Sequence, residues 1–224
     1  RVTFMEKLNM ARSAKAAVRS LLLLCGLGCC GWALYASHSL PNQDIGEKLC
    51  IVDDKAINEA SGMARSLACP DAIWVHNDSG DTARVFALDE AGALIGTLDV
   101  ARADAVDWED IAVGPGVAPG SSALYIADMG DNLAARTDGV TIYRVPEPAE
   151  RPDADGRLRG TQVLRLVYPG GPEDAEALLI DPLDGSLLIV TKSIIGQSRL
   201  LGATADELVP GAPITLTDLG TITI

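Results

Sequence analysis

Histidine, aromatic residues and positive charge are all scarce in this 224-residue sequence. With only His38 and His76, and no Cys-x-x-Cys pair, it cannot supply the imidazole and thiolate set of a zinc centre. A Ser-His-Asp triad would have to use His76, and no serine has the local setting of an activated nucleophile. There is no Gly-x-Ser-x-Gly elbow, no His-Glu-x-x-His, no phosphate-cradling loop ending in Lys-Ser/Thr and no dinucleotide fingerprint leading into a helix. Aromatics make up 4% of the chain, so a core must rest on Leu, Ile, Val and Ala; the 48% apolar content is enough for one and excludes wholesale disorder. Eighteen Lys and Arg face 31 Asp and Glu, giving a net charge of −13. The segregation is stronger than that figure. Residues 1–36 hold five cations and one acid, and the remaining 188 residues carry a net −17. A body this acidic repels phosphate backbones, so nucleic acid is excluded as a partner.

The basic head reads as a leader. Arg1, Lys7, Arg12, Lys15 and Arg19 precede an apolar run over 21–36 that ends in small residues. This is the layout of a secretory signal. At 16 residues the run also approaches the length of a membrane anchor. Residues 1–36 are therefore a signal peptide or signal anchor forming an apolar leader helix, 37–50 a linker, and the body an exported one, periplasmic or extracellular. The membrane is a partner only through an uncleaved leader. Outside the leader two cysteines remain, Cys50 and Cys69, with 18 residues between them. In an oxidising compartment they are expected to pair as a disulfide.

The body reads as all-β. No sustained 3.6-residue apolar period appears after residue 50, whereas short β-rich runs recur at 72–76, 84–88, 94–100, 122–127, 140–145, 163–167, 178–180 and 186–191. Self-comparison aligns Asp78-Ser79-Gly80-Asp81 with Asp128-Met129-Gly130-Asp131, 50 residues on, each following one strand and preceding another. A third copy opens at Ala175-Glu176-Ala177, after a longer step that an insertion over 147–160 explains. A repeat of about 40–50 residues is the period of a four-stranded propeller blade. The expected fold is thus a partial β-propeller over 51–224, with blades near 57–105, 106–170 and 174–215. Three blades fall short of a closed ring, and the sequence stops in the alternating Thr221-Ile222-Thr223-Ile224. The expectation is an N-terminal fragment of a six- or seven-bladed ring.

The order of Glu59-Ala60-Ser61-Gly62, Trp74-Val75-His76-Asn77-Asp78-Ser79-Gly80-Asp81, Asp107-Trp108-Glu109-Asp110, Asp128-Met129-Gly130-Asp131-Asn132, Tyr143-Arg144-Val145-Pro146-Glu147-Pro148 and Asp174-Ala175-Glu176-Ala177 resembles a family of exported, mostly uncharacterised bacterial β-propeller proteins. That family is distantly similar to the esterase-like phytase and gluconolactonase-type propellers. The resemblance covers about residues 50–200 and implies the fold. In the two distant groups a divalent ion positions and polarises an ester, lactone or phosphate oxygen.

The acidic motifs sit at strand starts and ends, where a propeller gathers its loops around a channel. Glu59, Asp78, Asp110, Asp128, Asp131 and Asn132 are candidate ligands, and Asp107 belongs to the same ring. Oxygen donors without imidazole suit Ca²⁺ or Mg²⁺. Glu109 and Glu176 are candidate catalytic carboxylates, because an acid opening an otherwise apolar inner strand has no packing reason to be there. Arg136 could bind an anionic substrate or simply pair with a carboxylate. Asp81 and Asp131 also suit ordinary turns, and Trp108 suits the core. The function expected first is a binding scaffold for a small molecule, glycan or protein. The alternative is a hydrolase of lactones, esters or phosphoesters, using a metal-activated water and one carboxylate as base.

Overall fold

The structure is a computed structural model describing residues 49–193 and 196–223. The leader, most of the 37–50 linker and the chain terminus lie outside the described residues. Apart from Leu49, the described residues form one unit, Cys50–Thr223.

This unit is all-β, with three sheets and, among the described residues, one turn of 3-10 helix at Ala205–Glu207. The first sheet contains β1 (Ala60–Arg65), β2 (Ala72–Asn77), β3 (Arg84–Asp89) and β4 (Leu94–Val100) in spatial order. The second follows the same meander with β5 (Trp108–Pro115), β6 (Ser122–Asp128), β7 (Val140–Pro146) and β9 (Gln162–Val167). The third uses β10 (Ala175–Ile180), β11 (Leu187–Thr191), β12 (Gln197–Ala203) and β14 (Thr217–Thr223). All these pairings are antiparallel. Positive-φ glycines close the hairpins where the sequence placed turns, at Gly92 (φ 81°) and Gly185 (φ 77°).

Each of the first two sheets gains a fifth strand, and it comes from the sheet that follows. The connection between β7 and β9 supplies β8 (Gly156–Leu158), which pairs parallel with β4. The connection between β12 and β14 supplies β13 (Ile214–Thr215), parallel to β9. The expected insertion over 147–160 is therefore a strap across to the preceding sheet. Its Leu158, like Ile214 of β13, buries one aliphatic side chain between two sheets. The third sheet also runs to Thr223, beyond the expected boundary at 215.

The second sheet is packed on both faces, so β6 is apolar at nearly every position. Leu124 and Ile126 point into one core, with Trp74, Trp108, Tyr143 and Val145. Tyr125 and Ala127 point into the other, with Ile142, Leu164, Leu187, Ile189 and Leu201. Among the described residues, Trp74, Trp108 and Tyr143 lie in the first of these cores and Tyr125 and Tyr168 in the second. Trp108 is 2% exposed, as expected of a core residue.

A buried carboxylate joins the first two sheets. Glu147, 8% exposed, follows β7 and accepts hydrogen bonds from the backbone amides of Leu67 (3.2 Å) and Ala68 (3.1 Å) and from Trp74 Nε1 (2.9 Å). The Ser122 hydroxyl donates to its second oxygen. Cys50 and Cys69 do not form the expected disulfide, and both are free thiols. Cys50 Sγ packs against the β3–β4 turn, 2.7 Å from where a Cβ on Gly92 would stand. Cys69 sits in the β1–β2 turn with its sulfur 3.9 Å from the Ala149 carbonyl. Two different hairpin turns hold the thiols apart.

Candidate metal centre

The first strands of the three sheets lie side by side, with β5 between β1 and β10. Each carries a register shift near its start: between Ala60 and Met63, between Trp108 and Asp110, and between Ala175 and Ala177. In β5 and β10 the extra residues are Glu109 and Glu176. A bulge re-aims the side chain it carries. This explains how an acid can open an otherwise apolar strand.

The backbone also fixes which positions correspond. Asp78 N donates to Glu59 O, Met129 N to Asp107 O, and Lys192 N to Asp174 O, at 2.9, 3.1 and 2.9 Å. Asp78 therefore matches Met129 and Lys192, and Asn77 matches Asp128. The alignment of Asp78 with Asp128 is one residue out of register. Alternation makes that slip consequential, since neighbouring strand residues face opposite ways.

Two groups of carboxylates result. Asp78, Asp107 and Glu109 each place an oxygen within 4.8 Å of the other two, and so do Glu109, Asp174 and Glu176. Glu109 belongs to both and is 7% exposed. Two oxygens ligating one Ca²⁺ at about 2.4 Å lie at most about 4.8 Å apart, so either group can hold such an ion. Gly130 lies directly over the shared acid. A Cβ there would fall 2.3 Å from Asp107 Oδ2 and 2.3 Å from Glu109 Oε1. The absence of a side chain at 130 keeps that approach open.

Crowding shows in the proton affinities. Burial, then the charges of Glu176 and Asp78, pushes Glu109 up to about 9, and Glu109 shares a hydrogen bond with Glu176. Asp107 is also raised, by burial and then by Asp78. At neutral pH, Glu109 thus holds a proton in the ion-free cluster. A divalent cation would take that proton's place. Lys192 supplies positive charge on one side, with its Nζ 2.5 Å from Glu176 and 3.5 Å from Asp174. The hydrogen bond to Glu176 holds Lys192 above the ordinary lysine value.

Several expected site residues lie elsewhere. Asp128, 2% exposed, accepts from the amides of Val106 (3.2 Å) and Asp107 (3.1 Å) and pairs with Arg136 at 2.7 Å. It shapes the segment that presents Asp107. Arg136 also donates to the Asp128 carbonyl, so its guanidinium is engaged by protein. Asp131 closes a turn by accepting from Ala135 N (2.7 Å) and Arg136 N (2.9 Å), while its own amide donates to Asp174 Oδ1 at 2.8 Å. Asn132 is exposed and accepts from Lys192 Nζ at 3.3 Å. Glu59 is exposed and outside both groups. Asp110 turns the other way from Glu109: its carboxyl accepts from Leu178 N and Ile111 N, both at 2.8 Å, and ties β5 to β10. Burial pushes Asp110 up to about 7. Asp81 binds Arg84, Asn77 and the Thr82 amide, as a turn residue does.

His76 is fully buried edge-on against Trp108, with Nδ1 2.7 Å from the Asn77 carbonyl and no partner for Nε2 among the described residues. Burial lowers its proton affinity, and the neutral ring packs as core. The sequence reading omitted Asp174 and Lys192 from the site. Asp174 stands two residues before Glu176, as Asp107 does before Glu109, so the repeat itself carried that signal. Lys192 carried none, because its role depends on what it faces. No protein-family model and no curated protein matches this chain.

Proposed function

We propose that the chain is part of an exported β-propeller that binds a divalent cation, Ca²⁺ before Mg²⁺, at the ends of its inner strands and serves as a scaffold for a small-molecule, glycan or protein ligand. The observation that carries this reading is Glu109. It is a buried acid re-aimed by a bulge into two groups of carboxylates, and Glu176, itself an acid, is its only polar side-chain partner among the described residues. Such a cluster is costly without a cation. The propeller is supported by three successive four-stranded meanders whose first strands lie side by side. Export is supported by the charge pattern of residues 1–36.

The test is thermal unfolding of the full chain in EDTA and in excess CaCl₂ or MgCl₂. The ion-binding reading requires a melting temperature that rises with ion concentration, since a ligand of the native state stabilises by mass action. No shift at millimolar Ca²⁺ overturns it.

One observation favours the hydrolase as a second reading. Glu176 is hydrogen-bonded to Glu109 but stands outside the Asp78–Asp107–Glu109 group. With an ion in that group, Glu176, paired with Lys192, would be the neighbouring carboxylate outside the ion's ligands, the place of a general base. Ca²⁺-dependent turnover of lactones, aryl esters or phytate, lost in Glu176→Gln with the calcium shift retained, would establish it. A folded, calcium-binding chain inert across that panel excludes it.

A further inference from the structure

The two carboxylate groups are not alike. Glu109, Asp174 and Glu176 already face a cation, because the Lys192 ammonium sits 2.5 Å from Glu176 and 3.5 Å from Asp174. Asn132 Oδ1 also accepts from that ammonium, at 3.3 Å. Among the described residues, no Lys or Arg forms a salt bridge with Asp78, Asp107 or Glu109. Arg136, whose charge acts on Asp107, is committed to Asp128.

The difference arises at one structural position. Asp78, Met129 and Lys192 are equivalent: each follows the second strand of its sheet and donates its amide to the residue two before the bulged position. The first sheet places a carboxylate there, the second an apolar side chain that is fully buried, and the third an ammonium. The first sheet thus adds a ligand to the cluster, and the third adds a counter-charge. Glu109 lies between them, buried and common to both groups. Gly130 stands beside the first group, where a Cβ would fall 2.3 Å from an oxygen of Asp107 and 2.3 Å from one of Glu109.

We infer that Lys192 is a tethered cation occupying the place of a second metal ion, so that this site takes one divalent ion, at Asp78, Asp107 and Glu109, where the same carboxylates without Lys192 take two. The inference rests on the ion-binding reading above and adds the stoichiometry and the residue that sets it. Two ions bridged by a shared carboxylate is the arrangement of two-metal centres. A lysine in one half converts that arrangement into a single-ion site with a fixed positive neighbour. Lys192 acts here as a positioning residue through Glu176 and Asp174.

Equilibrium dialysis and titration calorimetry of the full chain with CaCl₂ test this. The wild type is expected to bind one ion per chain, and Lys192→Ala two. Lys192→Arg should remain at one, because the cation is kept. Asp78→Asn should abolish the wild-type ion, and Asp174→Asn in the Lys192→Ala background should remove only the second. Lys192 is exposed, and circular dichroism of each variant checks that the strands remain. A Lys192→Ala chain that still binds one ion, or a wild type that binds two, overturns the inference and leaves the ion site standing. An ion bound only after Lys192→Ala overturns the assignment to the first group. No ion bound by any chain overturns the ion-binding reading itself. A lysine with a merely structural role would change stability without changing the count.

Discussion

Replacing Glu109 with Gln should make the ion-free protein more stable while destroying its ion site. In the absence of a cation Glu109 titrates at about 9, against an ordinary value of 4.5. At pH 7 the folded chain therefore holds a proton that the unfolded chain releases, and folding bears the difference. The gap between 4.5 and pH 7 corresponds to a ceiling of about 3 kcal/mol. Asp78 and Asp107 are half-exposed, so water reaches that side of the cluster and screens the effect to about 1–2 kcal/mol. Gln has nearly the same shape, needs no proton, and offers its amide N–H groups to Glu176 and Asp78. For a unit of this size the gain corresponds to about 2–8 °C in melting temperature. The pH dependence follows from the sign. Wild-type stability linked to this group is intact below about pH 4.5, where both states are protonated, and is lost as pH rises toward about 9. The advantage of Glu109→Gln should therefore vanish below pH 4.5 and grow above it. The assay is calorimetry of both chains in EDTA across this range, repeated with CaCl₂, where only the wild type should shift upward. A Gln variant no more stable than wild type in EDTA at pH 7, or one that keeps the full calcium shift, refutes the reasoning.

Three further outcomes are expected. Glu147→Ala leaves the Trp74 indole N–H buried without an acceptor and releases the Ser122 hydroxyl, whereas the exposed Leu67 and Ala68 amides regain water. Urea unfolding should show a loss of about 3–5 kcal/mol, with Glu147→Gln costing less because it retains an acceptor. Gly130→Ala places a methyl 2.3 Å from two carboxylate oxygens, so calcium affinity measured by calorimetry should fall at least about tenfold, while the strands seen by circular dichroism persist. Asp110 is raised from 3.8 to about 7 by burial, so in EDTA the wild type should lose stability between about pH 4 and pH 7. Asp110→Asn, followed by melting temperature, should flatten that part of the curve.

The strands were legible because their signal is local. Runs such as those at β2, β3, β6 and β7 are dense in aliphatic and β-branched residues and bounded by turn residues, and the structure forms them within a residue or two of the expected limits. Glu109 and Glu176 stood out for the same reason, as acids among apolar neighbours. The straps β8 and β13 were not legible. Three polar-flanked residues and two residues contain too little periodicity to declare a strand, and their partners lie 58 and 48 residues away in sequence.

The sequence by itself determined the all-β class, the repeated meander, the turn positions and the acidic character of the strand ends. Each depends on which residues stand within a few positions of one another. Only the tertiary structure decided which acids meet. A bulge in each first strand turned Glu109 and Glu176 toward the cluster and left Asp110 to bond backbone amides, a distinction one residue wide. A one-residue shift in correspondence made Asp128 a buried partner of Arg136 and brought Asp78 to Asp107. The pairing of Lys192 with Glu176 and Asp174 depends on the hydrogen-bond register of β10 and β11, a property of the assembled sheet that composition does not encode.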